Sequence, residues 1–507
     1  MAWAWGISPY RKVTIPLEDY NPDHYLTLLY QAMLNRGLDI GYFDHDGIIA
    51  YTNISWASYS EEISARVIGN TIVLKSECVG FQGLFTDYSK NQENLDVLLG
   101  EIEYADFHMQ GFLEENTREL MNSVPEKQFL NLDDPPMAGK ELIHGFFGPF
   151  IPRKKYLITP LLVIINILVF MVTIICLYLV ITLFYKAHPS SNEDIYTKAY
   201  LSMGFSSRPS VLKGEYWRLF TSMFLHFNPL HLILNMVVLV YIGSLIESKL
   251  GKWNFLMVYL FTGIIASMVS VIWHDNEIAA GASGAIFGLF GILLAFLSTD
   301  FYERSARKAL LISTAIVVAY NIIPLGKGVD HAAHLGGLIS GYIFGWITYL
   351  GLTNKNQFMK RWGMALVGSI TVVVFVSCGI KFSTRYQTKQ YAALSEKITQ
   401  LSQDIDAHFY TNTYASHEEK LDSIEHKALP EARALYKIAA QLDQLALSPQ
   451  RTKEAHVRAK LIRLQCQIYH FLYLEFKDPN SEMMYRYDIQ NITDSVNTIR
   501  IAWHNDN

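Results

Sequence analysis

Seven stretches of this chain, each close to 20 residues and poor in charge, are long enough to cross a bilayer as helices, and this limits the possible folds most sharply. They run from about Tyr156 to Tyr185, Leu219 to Ile246, Trp253 to Trp273, Gly281 to Thr299, Ala309 to Leu325, His331 to Leu350 and Gly363 to Ile380. Asn321 and Pro324 interrupt the fifth near its end. Composition agrees: 507 residues that are 50% hydrophobic, with a mean hydropathy of +0.15, are too apolar for an ordinary soluble enzyme and too many for one domain.

Basic residues in short loops set the expected orientation. Arg153, Lys154 and Lys155, then Lys249 and Lys252, Arg304, Arg307 and Lys308, and Lys355, Lys360 and Arg361 all fall on one side. The opposite short loops, His274 to Ala280 and Gly326 to Asp330, carry only Lys327. The long loop after the first span also holds Lys198, Arg208 and Lys213, but long loops obey the rule less. Met1 to Lys12 lack a basic stretch followed by an apolar one, so no cleavable signal peptide is expected. The expected protein is therefore integral to a membrane, a bacterial inner membrane by this reading, with a cytoplasmic amino terminus and an extracytoplasmic carboxyl terminus. Cys78, Cys176, Cys378 and Cys466 fall in separate segments with no CxxC pattern, and a net charge of −5 gives no basic face for nucleic acid.

Both ends carry polar sequence. Residues 1–150 alternate short β-like runs with turns: Ile40 to Phe43, Gly47 to Asn53, Glu62 to Val67 and Thr71 to Cys78, the last two joined at Gly69-Asn70. A helix follows over Asn91 to Ala105, so a small cytoplasmic α+β domain is expected, with Trp56, Tyr59 and Phe81 in its core. Residues 151–380 form the membrane part. Residues 381–507 read as helices over Gln387 to Ala407, Ser416 to Leu447 with a break at Pro430, and Pro449 to Phe476. Apolar residues such as Leu435, Ile438, Leu442 and Leu445 recur there at three- and four-residue steps. The sequon Asn491-Ile492-Thr493 is a pattern frequent by chance.

The polar residues at the mouths of the apolar helices carry the chemistry, because nucleophilic and ionisable groups are costly at membrane depth. Ser283 opens the fourth span and His334 the sixth, and span parity places both mouths on the outer side. A serine needs a base within hydrogen-bond reach, and His334 is the best-placed imidazole. Gly284 and Gly288 in one helix, and Gly337, Gly341 and Gly345 in the other, provide small faces on which the two backbones can approach closely. His231 and Asn235, four residues apart, leave the same side of the helix assigned to the second span, which is also expected to carry His226. The Ser283 N–H, at a helix start, is a further donor. Asp330 suits an N-cap for the sixth span better than a third member of a triad, and His331 reads as a residue facing water at the helix mouth. A metal built from His226, His231, His331 and His334 is not expected, since no carboxylate or cysteine joins them at ligand spacing and HExxH is absent.

Trp217-Arg218, the HxxxxHxxxN of His226, His231 and Asn235, the GASG around Ser283 and the AHxxG around His334 occur in the order found in the rhomboid intramembrane serine proteases, which residues 150–380 resemble. The resemblance implies a six-helix bundle with one added carboxyl-terminal span, a Ser283–His334 dyad without a third member, and an oxyanion hole of His231 and Asn235. It gives His226, Trp217 and Arg218 supporting structural roles, and it fits Glu247 as a buried polar anchor whose partner the sequence does not name. Phe287 stands one turn beyond Ser283, where family members often carry tyrosine; the ring that could stack on the histidine remains and the hydroxyl is gone. No cofactor is implied, the partners are transmembrane protein substrates and the bilayer, and partners of the flanking domains are open. Two other readings compete. A non-proteolytic relative that retains transmembrane helices would usually lack the serine or histidine, and a transporter would show internal repeats and polar groups near the midplane.

Overall fold

The computed structural model describes every residue except 1–3, 5, 19, 55–59, 82–85, 127, 129, 131, 133–134, 188–194, 276, 303, 323–327, 354–356, 411–415, 479–483 and 507. Two compact units share the chain. The first comprises Met1–Ser206, Tyr216–Ser270 and Ile278–Val376, and the second Ser207–Glu215, Val271–Glu277 and Ser377–Asn507.

The first unit begins with a five-stranded antiparallel sheet of β1 (Tyr10–Pro16), β2 (Asp39–Asp44), β3 (Gly47–Tyr51), β4 (Glu61–Ile68) and β5 (Thr71–Cys78), in the order β1-β5-β4-β3-β2. Ile68 faces Thr71 across the expected two-residue turn, and Gly69 takes the positive φ of 59° that such a turn needs. Three helices accompany the sheet: α1 (Pro22–Asn35), α2 (Lys90–Met109) and α3 (Leu113–Asn122). Leu26, Leu29, Ile48, Ile63, Leu74 and Leu98 share its core. β1 and α1 were not expected from sequence. α1 starts where the Asn21 side chain accepts the Asp23 N–H and Pro22 fills the first turn, a capping signal present in the sequence. Trp56 and Tyr59 lie outside the described residues. Half-buried Phe81 packs edge-on against Tyr241, 5.1 Å between ring centroids.

A short helix, α4 (Ala138–Glu141), meets the helix that carries Tyr241. Buried Lys140 donates to the carbonyls of Cys78 and Val79 at 2.6 and 2.9 Å, and its ammonium lies 5.1 Å above the Tyr241 ring. A Cβ on Gly139 would fall on the Ser244 carbonyl oxygen, so only glycine permits this approach.

The helices that follow in the chain are α5 (Ile158–Ala187), α6 (Ile195–Ser202), α7 (Arg208–Leu212), α8 (Arg218–Thr221), α9 (Pro229–Leu250), α10 (Lys252–Trp273), α11 (Ser283–Leu297), α12 (Arg304–Ile322), α13 (His331–Thr353) and α14 (Gln357–Ser383). Of these, α5 and α9 to α14 overlie the seven apolar stretches. Among the described residues Ile158–Leu183, Pro229–Leu250, Lys252–Trp273 and the stretch from Ala365 to Tyr410 are long and apolar enough to cross a membrane, and α11 is a shorter apolar helix.

One expected boundary is wrong. The second span was placed from Leu219, but α9 starts ten residues later, because the Asn228 side chain caps the His231 N–H at 2.9 Å and Pro229 follows it. Residues 218–224 instead form α8 and a 3₁₀ turn, Ser222–Phe224, so His226 sits in the connection and not on the helix of His231 and Asn235.

The glycines of α11 and α13 bring two backbones into contact. A Cβ on Gly337 would fall on the Gly284 carbonyl oxygen, one on Gly341 on that of Gly288, and one on Gly291 on that of Leu338. On its other side α11 leans on α10, where a Cβ on Gly284 would stand 2.6 Å from Ala266 Cβ.

In the second unit α15 (Thr388–Tyr410), α16 (His417–Ser423), α17 (Leu429–Gln444), α18 (Pro449–Lys477) and α19 (Arg486–Asp506) follow α14. Tyr391, Ile398, Leu435, Ile438, Leu442 and Ile462 are among its buried core residues. The break expected at Pro430 is absent: a π-helical turn, Ile424–Ala428, leads directly into α17 and leaves Pro430 in its first turn. Asn491 lies on α19, a helix not expected from sequence.

Candidate active site

Ser283 is the first residue of α11, after Gly281, whose φ of 133° turns the chain into the helix and whose N–H donates to the Ser222 carbonyl at 2.9 Å. Among the described residues no side chain caps this helix start, which leaves the N–H groups of its first turn available to a guest. At 1.5 Å per residue these 15 residues span about 22 Å, short of the roughly 30 Å hydrocarbon core. Alone, α11 is too short to cross a bilayer's hydrocarbon core.

His334, buried at 5% exposure, lies in the first turn of α13. Its Nδ1 is 3.3 Å from the Asn321 carbonyl oxygen. A carbonyl only accepts, so this contact fixes the proton on Nδ1 and leaves Nε2 as the nitrogen with a free lone pair. Phe287 of α11 covers one face of the imidazole, 4.2 Å between centroids and 8° from parallel. His331 Nδ1 contacts the same Asn321 oxygen at 3.1 Å. Asp330 is the N-cap: its Oδ1 accepts the Ala333 N–H at 2.9 Å and its Oδ2 accepts the Ser270 hydroxyl. Each of its oxygens thus has a partner other than the imidazole.

His231 and Asn235 lie on the first two turns of α9, and the Asn235 Nδ2 donates to the His231 carbonyl at 2.9 Å, with its second N–H uncommitted in that bond. A Cβ on Gly281 would stand 2.9 Å from His231 Nε2 and 3.8 Å from Ser283 Oγ, so both atoms border one point in space. His226 is buried beneath, edge-on to His231 at 5.0 Å, and neither of its ring nitrogens meets a partner among the described residues.

The family model described as the Rhomboid domain matches residues 213–351, which hold all of these side chains. Residues 213–351 of this chain therefore carry a rhomboid domain. The chain is 32% identical over 215 residues to the Rhomboid protease GluP of Bacillus subtilis, covering 41% of this chain and 40% of that one. It is 36% identical over 138 residues to RHOMBOID-like protein 1 of Arabidopsis thaliana, covering 27% and 36%, and 34% identical over 156 residues to Rhomboid-like protease 2 of Toxoplasma gondii, covering 30% and 53%. The match thus spans about two fifths of the length of the first two relatives.

Within this rhomboid domain the Arg218 guanidinium, buried, reaches the carbonyls of Leu201 and Phe205, the latter at 2.9 Å, and stacks on half-exposed Trp217 at 4.4 Å. The pair thereby closes the loop ahead of α8. Glu247 has a clear role: one carboxylate oxygen accepts the N–H of Leu157 and of Ile158, both at 2.7 Å, and the other accepts the N–H and hydroxyl of Thr159 at 2.8 Å. The partner that the sequence does not name is the start of α5, whose open N–H groups attract a carboxylate. Sequence reasoning noted Asn321 only as a flaw in an apolar run and missed its carbonyl as the support for His334, because the contact is made by the backbone and not by the polar side chain.

Proposed function

We propose that this protein is an intramembrane serine endopeptidase that hydrolyses transmembrane protein substrates near the outer membrane face. Ser283 is the nucleophile and His334 Nε2 the base. The hydroxyl oxygen attacks a backbone carbonyl carbon as its proton passes to Nε2, and the resulting oxyanion takes hydrogen bonds from the Ser283 N–H, Asn235 and His231. Collapse breaks the C–N bond, the imidazolium gives its proton to the leaving amine, and water, deprotonated by the same nitrogen, hydrolyses the ester. Phe287 positions the imidazole; His226, Trp217 and Arg218 hold the loop beside it. The substrate must enter as extended chain, because a helix keeps its carbonyls hydrogen-bonded within itself. Residues 1–150, in the cytoplasm, and residues 381–507, outside it, flank the membrane part at 151–380, in a bacterial inner membrane.

The observation that carries this reading is the Nδ1 contact of His334 with the Asn321 carbonyl, which leaves the Nε2 lone pair free in a ring stacked on Phe287 of the helix that begins at Ser283. The test is reconstitution with a labelled transmembrane substrate, comparing wild type with Ser283→Ala and His334→Ala. Loss of cleavage in both variants, and fluorophosphonate labelling of wild type but not of Ser283→Ala, is expected. Equal cleavage by all three, or binding of transmembrane helices without cleavage by any, rejects the endopeptidase.

A further inference from the structure

The second unit joins two short segments from the membrane part of the sequence to the carboxyl-terminal helices. Ser207–Glu215 runs on into Trp217-Arg218, and Val271–Glu277 runs on into Gly281-Ala282-Ser283. Asp275 fastens them. Its carboxylate, 4% exposed, bonds the Arg208 guanidinium of α7 through one oxygen and Arg451 Nε of α18 through the other, the latter at 2.7 Å. Arg208 also donates to the Ser383 carbonyl at 3.1 Å and lies over the Tyr386 ring at 4.1 Å, while the Tyr386 hydroxyl donates to the Ile272 carbonyl at 3.3 Å. Arg451 is braced in turn by Glu454 at 3.0 Å, and Gln450 beside it bonds Glu277.

A carboxylate buried between two guanidiniums is held by geometry on both sides, and removing one partner leaves charge without compensation. Nothing in the hydrolytic chemistry needs these residues, which lie eight positions before Ser283 and nine before Trp217 in the sequence. Their effect is on the freedom of the two connections. A connection of 274–282 tethered at Asp275 has fewer conformations available, and the entry of Ser283 into its helix is correspondingly fixed.

We propose that Asp275 is a positioning residue for the peptidase reaction, clamped by Arg208 and by Arg451 of the carboxyl-terminal helices, so that these helices set the turnover of the serine. The inference rests on the endopeptidase reading above. The test measures, in the full-length protein, the rate of fluorophosphonate labelling at Ser283 together with kcat and KM for a transmembrane substrate. Arg451→Met is expected to slow both labelling and kcat by roughly tenfold to a hundredfold, the size of effect that small misplacements cause, while KM moves little. Arg451→Lys, which keeps the charge, recovers most of the loss, as a merely structural role would not require. Wild-type labelling and kcat in a folded Arg451→Met overturn the proposal. If that variant fails to fold, Gln450→Ala decides, with a severalfold loss expected and an unchanged rate overturning it. A wild type that takes up no probe and cleaves nothing removes the endopeptidase reading instead, and the clamp's proposed role with it.

Discussion

The rings of Phe287 and His334 lie face to face, 4.2 Å apart and 8° from parallel, while Nδ1 of the same imidazole contacts the Asn321 carbonyl at 3.3 Å. One contact fixes the plane of the ring and the other its rotation within that plane. Phe287→Ala removes the first and is expected to lower kcat by roughly tenfold to a hundredfold, whereas Phe287→Tyr, which keeps the ring, stays within about threefold. Steady-state cleavage in proteoliposomes measures both. A wild-type rate in the alanine variant would mean that the aromatic face does not orient the base.

Asn235 tests the proposed oxyanion site separately from the proposed nucleophile. Its Nδ2 gives one hydrogen to the His231 carbonyl, which holds the amide plane and leaves the other hydrogen for a guest. Asn235→Ala is expected to slow kcat by roughly tenfold to a thousandfold with KM nearly unchanged, since the bond matters only once charge develops on the carbonyl. Turnover equal to wild type would remove Asn235 from the oxyanion site.

Membrane helices and their small-residue faces were legible because hydrocarbon imposes simple length and packing rules. The pairing of α11 with α13 followed from Gly284, Gly288, Gly337 and Gly341, and Asp330 was readable as a cap from its position alone. His226 was misplaced because Leu219 to Phe227 is apolar enough to continue a span, and only the local chemistry of Asn228-Pro229 shows where the helix begins. The partners of Glu247, Asp275 and His334 were hidden for one reason. Each is a backbone group or a side chain far away in sequence, at residues 157–159, 208 and 451, and 321, and no local pattern encodes such a meeting.

Gly341 offers a test of the fold that does not depend on activity. Its Cα rests against the Gly288 carbonyl, where any side chain would collide with backbone and not with a group able to swing aside. Overpacking a core with movable side chains costs about 1–3 kcal/mol, so Gly341→Leu is expected to exceed about 3 kcal/mol and to separate α11 from α13. Thermal unfolding in detergent and the yield of folded protein report it. A Gly341→Leu variant as stable as wild type would show that the two helices do not pack through this face.

Away from the membrane part, Glu77 of β5 makes the stability of the sheet depend on pH. Its fully buried carboxylate accepts Lys75 Nζ at 2.9 Å, the Ser8 hydroxyl at 2.5 Å and His144 Nε2 at 2.9 Å. Burial by itself would raise its pKa, but the Lys75 ammonium and His144 outweigh burial and hold the carboxyl below its ordinary value of 4.5. A carboxyl whose pKa is lower in the folded state than in the unfolded one adds stability that is complete above the unfolded value and drains away as pH falls below it. Glu77→Gln leaves the Lys75 ammonium buried with less compensation and is expected to cost about 3–5 kcal/mol near neutral pH. The gap between variant and wild type should narrow as the solution is acidified below about pH 4.5, where the wild-type carboxylate loses its advantage. Hydrogen exchange of the β4 and β5 amides at both pH values measures the difference. Equal protection of variant and wild type at neutral pH would show that the pair contributes nothing to the sheet.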